Sequence, residues 1–156
     1  MLIQTKHFGE IDLDESKVIT FDQGIMGFEE CKQYTILYDI EDSEKPTISW
    51  LQSIEEPGLA LPVINPFIIK SDYNPVVEDE LLKPLGGINE DNLVLLLTVT
   101  VPTDITKMSV NLKAPFIING DTRKGCQAIV ENQDYEIKYK VYDIIQKSKG
   151  REKVKC

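Results

Sequence analysis

Residues 92–101, NLVLLLTVTV, contain the longest apolar run of the chain, and this run decides the class of fold. It extends from Leu93 to Val101 and is rich in branched side chains, which are typical of β-strands. From Leu93 to Leu97 its apolar residues are continuous and do not alternate with polar ones, as expected of a strand that is buried on both faces. We therefore predict a central β-strand at this position.

Shorter stretches with the two-residue period of a β-strand lie on both sides of this run. Turn signals such as Glu56-Pro57-Gly58 and Asn119-Gly120 separate them. Many short strands with few helices indicate an antiparallel barrel or sandwich, so the predicted class is mostly all-β. The predicted strands are residues 2–5, 10–14, 17–21, 33–40, 47–54, 59–64, 66–70, 108–112, 115–119, 126–132 and 134–144.

One short helix is predicted in residues 75–87, PVVEDELLKPLGG. Acidic residues fill its first turns, which suits the helix dipole, and Pro84 and Gly86 end it. A second helical turn is predicted after Gly27, in residues 28–34.

The length of 156 residues predicts one domain. We place this domain at residues 1–145, followed by a basic tail at 146–156 whose composition is typical of disorder.

The charge is unevenly distributed along the chain. The last ten residues hold five basic residues and one acidic residue, whereas residues 1–146 hold 12 basic and 25 acidic residues, a net charge of −13. An acidic body repels phosphate, so nucleic acid is not expected to be its direct ligand. Such a body suits a basic protein partner or no charged partner at all.

The sequence carries few features of an enzyme, a metal protein or a membrane protein. No apolar run approaches the length of a membrane span and no signal peptide is present, so we expect a cytoplasmic protein. Three scattered cysteines predict neither disulfides nor a zinc site. The only histidine, His7, lies in a turn and is expected at the surface. We predict no catalytic residue, no metal and no cofactor, and we favour a binding module.

A cluster of acids, Asp39, Glu41, Asp42 and Glu44, lacks the glycine and the closing glutamate of a calcium loop. A solvated acidic loop is the favoured interpretation. The alternative is an electronegative patch that attracts a basic protein.

Two glycines, Gly24 and Gly27, flank apolar residues in the stretch GIMGF. They do not match a phosphate-binding loop, so their expected role is backbone freedom in a turn. Ile25, Met26 and Phe28 either fold back onto the core, which is favoured, or form a small docking surface.

Prolines interrupt two further predicted strands. In NLKAPFIIN, residues 111–119, Pro115 predicts a bulge or a sheet edge, with Lys113 pointing outward and residues 116–118 in the core. In NPF, residues 65–67, Pro66 interrupts a strand pair and Asn65 is expected to bond the backbone. Phe67 is expected in the core. For both motifs, an architectural role and an exposed contact with a partner remain open.

These motifs together resemble the flagellar assembly factor FliW family. FDQGIMGFEE, residues 21–30, is similar to the family pattern Phe-x-x-Gly-Ile-x-Gly-Phe-Glu, and NLKAPFIIN and VINPF resemble two further family motifs in the same order. The resemblance covers residues 1 to 142. Two features depart from it: Met26 stands where the family often has proline, and the basic tail has no counterpart.

The resemblance implies a small antiparallel β-barrel and a non-enzymatic antagonist of CsrA, a small basic RNA-binding translational repressor. It also implies that flagellin binds the antagonist, so that accumulated flagellin frees CsrA to repress flagellin translation. A flagellin chaperone without a role towards CsrA is the alternative. The candidate partner-binding residues are Ile25, Met26, Phe28, Glu29, Glu41, Asp42, Glu44, Asn65, Pro66, Phe67, Asn111, Lys113 and Pro115.

Overall fold

A computed structural model describes residues 1–38 and 48–146 of the chain. They include two α-helices of one turn each, α1 (Pro66–Ile69) and α2 (Asp79–Leu82). Short 3-10 turns lie at Glu15–Lys17, Lys83–Leu85 and Ile105–Lys107, and residues 142–146 are helical. The strands are β1 (Leu2–Gln4), β2 (Glu10–Asp12), β3 (Ile19–Phe21), β4 (Gln33–Leu37), β5 (Ile48–Ser53), β6 (Ala60–Ile64), β7 (Leu93–Thr100), β8 (Ser109–Val110), β9 (Phe116–Asn119), β10 (Lys124–Gln127) and β11 (Tyr139–Lys140).

Seven strands of the described chain close into a barrel, which confirms the predicted fold class. Their order is β3-β4-β5-β6-β7-β9-β10, and β10 returns to β3. Each neighbouring pair is antiparallel except β3 and β10, which pair in parallel through Thr20 with Lys124 and Phe21 with Gly125. A barrel has no free sheet edge along the closed part, so the backbone groups of these strands find partners within the molecule.

The barrel interior is filled by alternate side chains from the strands. Gly125 on β10 leaves the room that the Phe21 ring needs, because a Cβ atom there would lie 2.8 Å from the ring. Phe21 in turn packs edge-on against Tyr34 and Phe116. The fully or nearly buried residues of this interior are Ile19, Phe21, Ile25, Tyr34, Leu51, Val63, Leu96, Phe116 and Ile118.

A second core lies outside the barrel, and β7 contributes to both. Leu96 points into the barrel, whereas Leu95 and Leu97 point out into the second core. This confirms the prediction that the strand is buried on both faces, and it explains why its apolar run does not alternate. The second core contains Ile64, Ile69, Tyr73, Leu85, Leu95, Leu97, Val99, Val110, Leu112, Ile117, Ala128, Val130, Tyr135, Val141 and Ile145.

A bulge interrupts the pairing of β7 with the chain that follows it. Val99 pairs with Val110 on β8, and Leu96 pairs with Phe116 on β9. Two residues of β7 therefore lie opposite the five residues 111–115. This segment is called the bulge below. Pro115 lies at its end, which agrees with the first predicted alternative, a bulge at Pro115. The other alternative, a sheet edge, is wrong because β9 pairs with both β7 and β10.

The hairpin of β1 and β2 packs against the outside of β5. The backbone N–H of Lys6 donates to the side chain of Gln52 at 3.0 Å, and the ring of His7 contacts that of Trp50 in a tilted arrangement, with 4.0 Å between centroids. His7 is exposed, as predicted.

Three predicted elements differ from the structure, apart from the predicted strand 126–132, of which only Cys126 and Gln127 lie in a strand, β10. The predicted strand 134–144 forms only the two residues of β11 and then becomes helical, because Tyr135 and Val141 are drawn into the second core. The predicted strand 66–70 is instead α1. Pro66 at its first position suits a helix start, and Asn65 caps it by accepting from the backbone N–H of Phe67 at 3.0 Å.

The third difference concerns the helical turn predicted in residues 28–34. It is a series of turns that leads into β4, because Gly27 has a positive φ and Gln33 and Tyr34 pair with β3. The helix predicted in 75–87 is confirmed, although it spans only α2 and the 3-10 turn that follows it.

Candidate functional site

A loop of five residues closes one end of the barrel. In this capping loop, residues 24–28, only Ile25 enters the barrel interior, where it is 2% exposed. Met26 and Phe28 point outward, with 47% and 42% of their surface exposed. From the sequence, these three apolar residues either fold onto the core or form an exposed docking surface. In the structure Ile25 is buried in the core, whereas Met26 and Phe28 are exposed.

The capping loop is held in one shape by its own backbone. Gly24 and Gly27 have φ values of 70° and 88°, a region that side chains disfavour. The N–H of Gly24 donates to the carbonyl of Phe21 at 2.8 Å. The N–H of Phe28 donates to the carbonyl of Ile25 at 2.7 Å. These bonds fix the outward direction of the side chains on either side of Gly27.

Gln127 at the end of β10 joins the capping loop to the bulge. Its side-chain oxygen accepts from the N–H of Met26 at 2.9 Å, and its amide nitrogen donates to the carbonyl of Ala114 at 3.2 Å. Two motifs that lie some 90 residues apart in sequence, residues 21–30 and 111–119, thus meet through one side chain. Sequence reasoning missed Gln127, because a glutamine in a short strand carries no local signal of this role.

Ile129 adds an exposed apolar side chain at this end of the barrel. The chain after β10 continues beside the bulge, since Ala128 and Val130 donate to the carbonyls of Pro115 and Lys113 at 3.2 and 2.9 Å. Alternation along this extended chain puts Ile129 on the same side as Gln127. Ile129 is 55% exposed. Met26, Phe28 and Ile129 are called the barrel-end surface below; the sequence did not single out Ile129.

Carboxylates lie beside the barrel-end surface. Glu29 and Glu30 follow Phe28 directly and are both exposed. Glu55 is anchored nearby, because its carboxylate accepts from the backbone N–H groups of Lys32 and Gln33 at 3.0 and 2.6 Å. The structure therefore places apolar and acidic side chains together around the capping loop.

The bulge itself is mostly structural. Asn111 accepts from the N–H of Lys113 at 2.9 Å, which folds the backbone locally. Leu112, Ala114 and Pro115 are buried, whereas Asn111 and Lys113 are half-buried. Residues 116–118 are buried, as predicted.

The Asn65-Pro66-Phe67 motif is not joined to the capping loop by any hydrogen bond among the described residues. Pro66 is buried, but Phe67 and its neighbour Ile68 are 49% and 42% exposed. The prediction of Phe67 in the core is wrong, because the helical start of α1 turns its side chain outward. The predicted acidic residues Glu41, Asp42 and Glu44 lie outside the described residues.

Chemically reactive groups are sparse in the part of the chain that the structure describes. No group of three or more histidine, cysteine, aspartate and glutamate residues in 1–38 and 48–146 is arranged to hold a metal ion. Burial raises the pKa of the Cys126 thiol, which disfavours the reactive thiolate. Within the same residues, no helix has both the length and the apolar character needed to cross a bilayer.

Comparison with known proteins places this architecture in a family. The model of the family described as "FliW protein" matches residues 2–141. The chain belongs to the FliW family. It is 57% identical to the flagellar assembly factor FliW of Lachnoclostridium phytofermentans over the whole length of both chains. It is 54% identical to that of Lachnospira eligens, over 96% of this chain and all of that one.

A solved FliW structure has the same fold. The crystal structure of a flagellar assembly factor FliW superposes with a TM-score of 0.82 at 32% identity and covers 91% of this chain and 97% of its own. The family suggested by the motifs at 21–30, 63–67 and 111–119 is therefore confirmed, together with the β-barrel.

Proposed function

We propose that this FliW-family chain is a flagellar assembly factor that acts by binding other proteins and not by catalysis. In this proposal it binds CsrA in the cytoplasm and so relieves repression of flagellin translation. Flagellin in turn binds the chain and titrates it away from CsrA. Its partners are thus two proteins, and it contacts neither nucleic acid nor a membrane directly.

The observation that carries the proposal is the charge of the body. Residues 1–146 hold 12 basic and 25 acidic residues. CsrA must carry positive charge to hold RNA phosphates, so an acidic body attracts it over a long range and speeds the encounter. Once the FliW-family chain is bound to CsrA, its carboxylates disfavour RNA at a neighbouring site. They do so even if the chain does not cover every contact of CsrA with an RNA base.

A second candidate function is that of a flagellin chaperone without a role towards CsrA. The observation that favours it is the exposure of large apolar side chains. Phe28 and Phe67 each expose more than two fifths of their surface, as does Ile68 beside Phe67. Exposed apolar surface of this kind suits the masking of an apolar partner.

Calorimetric titration with CsrA from the same organism tests the proposal. We expect binding that weakens as the salt concentration rises and that is lost when flagellin is saturating. Binding that does not respond to salt would remove the electrostatic basis of the proposal. Absence of CsrA binding, with flagellin binding intact, would leave the chaperone function.

A further inference from the structure

The barrel-end surface combines three properties. Its apolar side chains Met26, Phe28 and Ile129 are about half exposed. They come from two elements, the capping loop and the chain after β10, which Gln127 holds together. Acidic residues border it through Glu29 and Glu30.

We propose that the barrel-end surface docks a basic amphipathic segment of a partner protein. The apolar side of this segment lies on Met26, Phe28 and Ile129, and its lysine or arginine side chains lie over Glu29 and Glu30. The inference rests on the proposed function in taking a basic protein as the partner, and it assigns the place where that partner is held.

The rigidity of the capping loop supports docking. Two glycines at positive φ, the bond from Phe28 to Ile25 and the bond from Met26 to Gln127 hold the loop while Ile25 anchors it in the barrel. Side chains that are already fixed lose little conformational freedom when a partner binds. A loop that served only to close the barrel needs Ile25 inside, but it has no need of apolar residues on its outer side.

The charge of the residues around the barrel-end surface favours a basic segment over other occupants. Asp22, Glu29, Glu30, Glu55 and Glu56 lie on or next to the turns around the capping loop and are all exposed. Three lysines accompany these five carboxylates: Lys32 donates to the carbonyl of Asp22 at 3.0 Å, Lys124 lies 3.9 Å from the carboxylate of Asp22, and Lys113 lies half-buried in the bulge. The surroundings are therefore acidic.

A second copy of the chain would bring the same carboxylates to the contact and would be repelled. An acidic segment would be repelled for the same reason, whereas a basic one is attracted.

The test uses a fluorescently labelled helical peptide of leucine and lysine with one apolar side, and a second peptide in which glutamate replaces every lysine. Binding to the full-length chain is followed by fluorescence anisotropy. We expect the basic peptide to bind more tightly than the acidic one and to weaken in raised salt.

Single substitutions locate the binding surface. Phe28→Ser and Ile129→Ser, which lie on different elements, are each expected to weaken binding of the basic peptide about tenfold, as is typical of central interface residues. Phe67→Ser is the matched control, because Phe67 is exposed to a similar degree and lies on α1. It is expected to leave the affinity unchanged. Thermal melting checks that each variant is folded.

Equal binding of the acidic peptide would overturn the proposal. So would an equal loss of affinity in Phe67→Ser and Phe28→Ser, or no loss in either barrel-end variant. Analytical ultracentrifugation of the wild-type chain tests whether a second copy of the chain occupies the surface. A dimer that Phe28→Ser and Ile129→Ser dissociate would assign the surface to a second copy instead.

A parallel titration with CsrA keeps this inference distinct from the proposed function. If the wild type fails to bind CsrA while the peptide results hold, the function is wrong and the docking surface stands. If CsrA binds the wild type and the peptide results fail, the function stands and the docking surface is wrong.

Discussion

Replacing Gly24 with alanine tests whether the capping loop is built as described. Gly24 has a φ of 70°, and a Cβ atom at this position would lie 2.5 Å from the carbonyl oxygen and 2.6 Å from the Cα atom of Glu29. Both are backbone atoms, so no side chain can rotate away to make room. The substitution must therefore move the backbone at Glu29 and open the loop.

The magnitude follows from two contributions. A positive φ costs a residue other than glycine about 1 kcal/mol. Opening the loop also withdraws Ile25 from the barrel, and burial of such a side chain contributes about 2 kcal/mol. We expect Gly24→Ala to lower the free energy of unfolding by about 3 kcal/mol, or about 9 °C in the melting temperature of a chain of this size.

Gly27→Ala is the matched control. Gly27 also has a positive φ, of 88°, but a Cβ atom there meets nothing within 4 Å. Only the conformational cost applies, so about 1 kcal/mol and about 3 °C are expected. Urea and thermal unfolding, followed by far-ultraviolet circular dichroism, measure both variants. Equal destabilisation by the two substitutions would refute the close approach of Gly24 to Glu29 and with it the described shape of the loop.

Three further predictions concern buried phenols and the tail. Tyr73 donates its hydroxyl to the carbonyl of Leu112 at 2.8 Å, whereas the buried hydroxyl of Tyr34 has no hydrogen-bond partner among the described residues. In urea unfolding, Tyr73→Phe is therefore expected to lower the free energy of unfolding by about 1 kcal/mol, and Tyr34→Phe to leave it unchanged or raise it. The reverse order of the two variants would contradict the described contacts. Burial raises the pKa of both phenols, so the unfolded chain ionises first. Stability is therefore expected to fall as the pH rises above the ordinary tyrosine value of 10.0, and to fall less in the variant that carries both Tyr34→Phe and Tyr73→Phe. Deleting residues 147–156 leaves 12 basic and 25 acidic residues, so stopped-flow association with CsrA is expected to be faster at low salt, and an unchanged rate would count against electrostatic attraction.

Local sequence patterns predicted the positions of the first seven strands well. β1 to β7 all fall within predicted stretches, and the continuous apolar run of β7 predicted its burial on both faces. The prediction failed where tertiary contacts override the local pattern. The stretch 134–144 alternates like a strand, yet burial of Tyr135 and Val141 in the second core leaves only two residues of it paired.

The local geometry of the predicted motifs followed from the sequence only in part, for the same reason. Glycine spacing at 24 and 27 predicted a turn with apolar side chains, because the backbone requirement is local. Which of those side chains enters the barrel depends on how the loop sits over its end. Asn65 illustrates a correct local prediction, since its bond to the backbone needs only its immediate neighbours.

The sequence by itself determined the class of the fold, the position of most strands, the acidic character of the body and, through the order of its motifs, the FliW family. These properties are carried by local periodicity, by composition or by residues close together along the chain. Only the tertiary structure decided that β3 and β10 close the barrel in parallel and that five residues bulge opposite two. It also decided that Gln127 brings the capping loop to the bulge and leaves Ile129 exposed beside it. Such pairings depend on the register between segments that are distant in sequence, and no local pattern specifies that register.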